Sequence, residues 1–334
     1  MSLLKSLPLT TVKKSVRIDN FIFHLHYRIT AVLLTAASLL ITSKEHFGKP
    51  INCGPPPPSL TQELIENFCR TRSTFTLVNS QFNDPHLGVN TVQEDTPIIY
   101  HKYYQWVWLV LSLQAAMFYF PHYVWKTIDN GRMSCMVKGL TNPLCDKKSM
   151  DAKIAILSQY VLRNWNKLNK WAYTYFMCEI LNFLNVIGQI YMIDAFLGGG
   201  FMTYGLRVLE YGFLDEEYRN DSMVVVFPRV TKCSFQSFGM SGDVQVHDAI
   251  CVLPLNVVNE KIYVVLWFWL VLLAVPSGFV LVYRSRRMYL MQAGVGDWLF
   301  LSLLGKNVDG LVLDMLLEEV EVQKSKSFHS IFIS

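Results

Sequence analysis

The chain has 334 residues, of which 51% are hydrophobic, 13% aromatic and only 17% charged, with a net charge of +4. Soluble domains carry about 25% charged residues, so this composition argues against an ordinary soluble protein and for a membrane one. The mild charge and the lack of a basic, aromatic-studded stripe argue against nucleic-acid binding.

The N-terminal residues Met1–Leu7 place Leu3, Leu4 and Leu7 on one helical side, ending before Pro8. A signal peptide is not expected here, because no A-x-A-like site follows the apolar core. The first apolar run, Ile29–Ser43, is short, since covering about 30 Å of hydrocarbon takes about 20 residues. Extended through Phe21–Tyr27, a first span at 21–43 carries His24, His26 and Arg28 at its inner end. The two histidines stand about 200° apart on a helix, which is not metal-pair spacing. They titrate near neutrality and can sense pH, although interfacial polar residues are the simpler reading. Residues 103–125 and 262–283 contain no Asp, Glu, Lys or Arg and give the second and fourth spans. The third, 171–197, carries Glu179 and Asp194, with Asn182, Asn185 and Gln189 on the same broad side as Glu179. Polar residues there bind helices together or line water; the first is preferred.

Basic residues orient the spans. The stretch through Arg28 holds five Lys/Arg and one acid, and residues 126–170 hold nine and three. Segments 44–102 and 198–261 hold five Lys/Arg each, against six and eight acids. Both termini (1–20 and 284–334) and the 126–170 loop are therefore expected in the cytosol, with two large loops outside. Cys53 and Cys69 fall in the first outer loop and Cys233 and Cys251 in the second, where disulfides persist. Sequence alone allows three pairings. Cys135, Cys145 and Cys178 are expected to be free thiols, with no metal-ligand spacing.

Within the outer loops, Pro55–Pro58 reads as a rigid bend. Residues 70–78 and 224–231, rich in Thr, Val and Phe, read as short strands. Asn220-Asp221-Ser222 is a glycosylation sequon, making Asn220 a candidate acceptor. Gly198–Gly200 reads as a flexible exit from the third span. In the cytosolic loop, Ile154, Leu157, Val161, Trp165 and Leu168 predict a helix leading straight into the third span. In the tail, Asp297 is a candidate cap for a helix stopped by Gly305, followed by an apolar face of Val312, Met315, Leu316 and Val320. Together these predict a helical cytosolic cap, or alternatively interfacial helices on lipid.

The mouth of the second span is crowded with half-polar aromatics. Tyr103, Tyr104, Trp106 and Trp108 read as an outer interfacial girdle and Trp125 as the inner one. Trp106 and Trp125 are nineteen residues apart, or roughly 28 Å along a helix. Gln105 has no place in a girdle.

Those same residues carry a resemblance. Tyr103-Tyr104-Gln105-Trp106-Val107 resembles the signature of the innexins, the invertebrate gap-junction proteins. Lys14–Arg28, Gly48–Cys53, Phe118–Lys126, Gly296–Trp298 and Leu304–Asn307 resemble other family segments, so the likeness runs from about residue 14 to residue 320. The resemblance implies an all-α membrane fold of four helices per subunit, with a small disulfide-braced extracellular layer containing β-strands. It implies an octameric homomeric ring or a mixed ring with related subunits, docked onto a hemichannel of the neighbouring cell in the plasma membrane. It implies pairing of Cys53 with Cys251 and Cys69 with Cys233. It also makes Met1, Ser2, Leu3, Leu4, His24 and Arg28 pore or gate candidates. Pro55–Pro58 and the short tail depart from the family pattern. The expected function is passage of ions and small metabolites between cytoplasms. The alternatives are an undocked hemichannel and a non-conducting adhesion protein. No hydrolase, phosphate-loop or metalloprotease motif appears, so no catalysis, metal or cofactor is expected.

Overall fold

The computed structural model describes residues 16–55, 61–77, 88–89, 97–138, 140, 147–213, 222–291 and 294–333. Among the described residues, four helices are long and apolar enough to cross a bilayer: Phe21–Phe47, Val107–Asp129, Asn169–Phe196 and Pro254–Tyr289. They are called the first to fourth spans. The first is capped by Asn20, whose side-chain oxygen accepts the Phe23 N–H at 2.6 Å. It contains a π-helical turn, Leu25–Thr30. The Thr30 hydroxyl donates to the Leu25 carbonyl at 3.0 Å and accepts from the Trp269 indole at 2.9 Å, which supports the irregular turn. The fourth helix opens on Pro254, a residue suited to a first turn because its missing N–H is not needed there. It runs 38 residues to Met291, about 57 Å, and so extends well beyond a hydrocarbon core.

The chain divides into two compact units, one of residues 25–120 and 182–278, the other of residues up to 24, 121–181 and 279 onward. In the first of these, Leu34, Ile41, Leu111, Phe118, Val186, Ile193, Leu266 and Leu270 bury one apolar core with a contribution from every span. The same unit carries a five-stranded antiparallel sheet in the order β1 (Asn52–Cys53), β5 (Val244–Val252), β4 (Val230–Phe238), β2 (Thr74–Leu77), β3 (Ile98–His101). The β4–β5 hairpin is paired from Val230–Val252 out to Phe238–Val244. Its tip turns at Gly242, whose φ of +85° suits glycine.

Two expected strands are corrected at their ends. Residues 70–72 finish a helix, Gln62–Arg72, and only Thr74–Leu77 pairs in the sheet; Val78 lies outside the described residues. Residues 224–226 belong to the helix Ser222–Val226, and β4 begins at Val230. The helix Gln62–Arg72 buries Ile65 and Cys69 against Phe235, Ala249 and Cys251. That core is small, and two disulfides cross it. Cys53 is bonded to Cys251 and Cys69 to Cys233, with sequence separations of 198 and 164 residues.

In the other unit the helix Lys147–Arg163 packs along the tail helix Gly310–Ile333. Ile154, Leu157 and Val161 on one side, and Val312, Leu316 and Val320 on the other, are buried. The loop helix does not run straight into the third span. It stops at Arg163, the chain turns through Asn166 with a positive φ of 65°, and the span restarts at Asn169. Trp165 falls in this turn and is exposed. Asp297 is not a helix cap either: the helix Val295–Gly305 begins two residues earlier, after Gly294. Asp297 is buried and accepts the Asn166 N–H at 3.0 Å, pinning that turn. Burial raises its pKa.

Candidate functional site

The aromatic mouth of the second span is a joint, and only part of it is a girdle. Tyr103 and Tyr104 are buried, whereas Trp106 and Trp108 are 56% and 38% exposed. The interfacial role therefore falls to the two tryptophans, where a ring can meet lipid with its N–H wet. The Tyr103 hydroxyl donates to the Val226 carbonyl at 3.2 Å and accepts from the Asn256 amide at 3.1 Å. Its ring meets Phe227, Tyr104, His101 and Phe196 edge-on at 5.7 to 6.3 Å. The Tyr104 hydroxyl donates to the Cys69 carbonyl at 3.2 Å. The Gln105 amide donates to the carbonyls of Arg70 and Thr71.

This gives Gln105 a purpose. Cys69, Arg70 and Thr71 are in the last turn of the helix Gln62–Arg72, where carbonyls have no partner within the helix. Two side chains from the turn Tyr103–Gln105, which leads into the second span, satisfy three of them, and one of the three belongs to a disulfide-bonded cysteine. The outer layer is thus fastened to the head of the second span by polar bonds. The two disulfides stand side by side, with the sulfurs of Cys53, Cys69 and Cys251 within 4.8 Å of one another. Their bonding to one another and to Cys233 accounts for that cluster without a metal. His101, beside this joint in β3, is buried, and its Nε2 lies 2.8 Å from the Thr76 hydroxyl. Burial lowers its pKa to about 4, so it is neutral in the fold.

A second polar joint starts the fourth span. Asn256, Asn259 and Glu260 are fully buried. The Arg229 guanidinium donates to Glu260 at 2.9 Å, and the Asn256 amide also reaches the Pro228 carbonyl at 2.8 Å. Sequence reasoning missed this group, though Asn-Val-Val-Asn-Glu at the head of an apolar run was the available signal.

Trp125, read as an inner girdle, is instead fully buried. Its indole donates to the Ile18 carbonyl at 2.8 Å, and its ring packs on Trp171 and Tyr175. It belongs to a clamp around residues 17–20, the root of the N-terminal segment. Asn307 brackets Arg17, accepting its N–H at 2.6 Å and donating to its carbonyl at 2.7 Å. Tyr175 accepts the Asn20 N–H at 3.1 Å, and Glu179 accepts the Asn20 amide at 2.5 Å. Glu179 also pairs with Arg284 at 3.0 Å, and that guanidinium lies over the rings of Tyr175, Phe176 and Trp298 at 5.3 to 5.7 Å. Glu179 therefore acts between helices. Asp194 likewise accepts the Met202 N–H at 3.0 Å.

The pore and gate candidates divide. Met1, Ser2, Leu3 and Leu4 lie outside the described residues, as do Asn220 and Cys145. His24 is half-buried and Arg28 is exposed. Arg28 makes no ion pair among the described residues. His26, two positions before it, is buried with its Nε2 2.8 Å from the Ser277 hydroxyl and its ring 6.0 Å from Phe118. Cys178 is buried and Cys135 exposed.

The family model for innexins matches residues 19–293. Among curated proteins, the chain is 42% identical to innexin inx2 of Schistocerca americana, over 92% of this chain and 93% of that one. It is 40% identical to innexin inx2 of Drosophila melanogaster, over 94% of both. It is 36% identical to innexin shaking-B of the same fly, over 91% and 90%.

Proposed function

The chain belongs to the innexin family, whose members are gap-junction channel subunits of the plasma membrane, and from that premise we propose a passive intercellular channel built as an octameric ring. Eight copies, alone or mixed with related subunits, surround a water-filled path. Two such rings in adjacent cells meet through their outer layers. Ions and small metabolites then diffuse between cytoplasms, with no catalytic step.

The observation that carries this reading is the construction of the outer layer. A stand-alone layer with so small a core would be marginal. Here it is braced by two disulfides and fastened to the second span through Tyr103, Tyr104 and Gln105. That is the build required of a surface that must keep its shape against a second copy. Arg28 supports a water-lined path along the first span. An exposed arginine without an ion pair is costly against lipid and is expected to face water. Asn307 and Trp125 hold Arg17 and Ile18 by hydrogen bonds, and in this reading Met1–Leu4, ahead of that held stretch, enter the path.

The test is dual voltage clamp of paired cells expressing only this protein, with and without Asn220→Gln. Junctional current in the unaltered protein is the expected result. Current only after Asn220→Gln would assign an undocked hemichannel held apart by a glycan. No current in either, with the protein at the surface, would refute a channel made from this subunit alone.

A further inference from the structure

Between Asp19 and Lys44, Arg28 is the only Asp, Glu, Lys or Arg of the first span. It is exposed and has no ion pair among the described residues. Residues 1–15 lie outside the described residues, and they contain no acid that could supply one. The two acids that flank the span are both withdrawn from solvent. Asp19 is buried, 3.7 Å from His122 Nδ1. Glu45, its side chain 10% exposed, is paired with Arg70 at 2.5 Å. Among the described residues, the charge that this helix presents outward is therefore positive.

The surface on which Arg28 stands is not a lipid-facing one. From Ala31 the helix is regular, and Val32, Thr35, Leu39, Ser43 and His46 form an exposed stripe within about 80° that mixes apolar and polar residues. Beside it Ala36, Leu40 and Phe47 are exposed and wholly apolar. Lipid suits the second stripe, and water suits the first. Arg28 heads the mixed stripe, four residues or about one turn before Val32. It belongs to the π-helical turn Leu25–Thr30, which Thr30 buttresses through Leu25 and Trp269, so the arginine leaves a fixed backbone.

We propose that Arg28 makes the channel prefer small anions. Each subunit contributes one copy, and together they ring the path with cations that no acid of the same helix cancels. Rings of Arg or Lys favour anions in pores. A local potential of about half kT raises anions and lowers cations by a combined factor of about three. The favoured permeants are then small carboxylates and phosphates over metal cations. The preference presupposes the water-filled path proposed above and adds which solutes it favours.

The test is the reversal potential of junctional current in paired cells expressing only this protein, with KCl diluted on one side. Potassium and chloride diffuse almost equally fast in water, so an uncharged path gives a permeability ratio near unity. The chloride-to-potassium ratio of the unaltered protein should exceed unity. Arg28→Gln should lower it about threefold, Arg28→Glu should carry it lower still, and Arg28→Lys should retain it. Lys44→Gln removes the same charge from an exposed position about 120° round the helix from Val32 and should leave the ratio in place. A ratio at or below unity in the unaltered protein overturns the inference whether or not the variants assemble. So does a ratio that survives Arg28→Gln, or one that falls as far with Lys44→Gln. Should current flow across one membrane only, the same ratio is read there. No current of either kind, with the protein at the surface, is a different failure: it removes the channel, and the preference with it.

Discussion

Replacing Tyr103 with Phe removes one oxygen and leaves the ring in place. The lost hydroxyl is both a donor to the Val226 carbonyl and an acceptor from the Asn256 amide. Asn256 keeps its second bond, to the Pro228 carbonyl, so the substitution strands one carbonyl and one N–H. Tyr103 is 7% exposed and Asn256 0%, so water has poor access to either orphan. Two hydrogen bonds at about 1 kcal/mol each, with part of the burial cost of the stranded groups, give a loss of roughly 2–4 kcal/mol. Gln105→Ala also breaks two bonds, to Arg70 and Thr71, but at a half-exposed helix end where water can replace the amide. Its cost should be below about 1 kcal/mol. Tyr104→Phe, with one bond to the Cys69 carbonyl, should fall between them. Heating the purified oligomer and following its size-exclusion peak gives the order of melting temperatures. Tyr103→Phe melting with the unaltered protein, or Gln105→Ala melting below it, would refute a burial-weighted hydrogen-bond joint.

Other consequences are open to the same kind of measurement. Cys69→Ser/Cys233→Ser should cost roughly 3–5 kcal/mol by releasing a long loop in the unfolded chain, read as lost surface expression or a lowered melting temperature. Arg284→Ala strips the counter-ion from Glu179, a pair whose side chains are 13% and 5% exposed, and should destabilise by roughly 3–5 kcal/mol, far more than Arg287→Ala. His101 is neutral in the fold with a pKa near 4, against 6.5 for an unburied histidine. The unfolded chain therefore binds a proton first as pH falls. The histidine's contribution is intact above pH 6.5 and is lost progressively toward pH 4, by up to about 3 kcal/mol. Melting temperatures of His101→Gln and the unaltered protein should converge across that window; a constant offset would remove the effect. Asn307→Ala releases the bracket on Arg17 and should change the voltage dependence of junctional current at normal surface expression, with partial rescue by Asn307→Asp, which can accept the N–H but not donate.

The four membrane-crossing helices are legible because a run of about 20 residues with few charges has few other uses. Legibility fails at the ends of elements, for a physical reason that recurs. The C-terminus of the helix Gln62–Arg72 reads as a strand in the sequence because Arg-Thr-Arg-Ser-Thr-Phe-Thr carries β-forming residues and no glycine stop. What ends that helix well is not local: its last carbonyls are taken by Tyr104 and Gln105, some 34 residues further on. Trp125 fails in the same way. Spacing alone made it a lipid-facing ring, but its N–H is needed by a carbonyl 107 residues earlier. The turn at Asn166 is held by Asp297, 131 residues away, so a continuous apolar period was read through a break it could not show. Gly296 belongs to the same joint. A side chain there would meet the Leu168 backbone at 2.3 Å, so the close approach that makes Gly296-Asp297-Trp298 a motif is visible only once the two segments are together. In each case a backbone group at the end of one element is completed by a side chain from a distant one. Hydropathy reports which segments enter the bilayer. It carries no record of which remote side chain satisfies which helix end, and in this chain those pairings build both the fastened outer layer and the clamp on the N-terminal root.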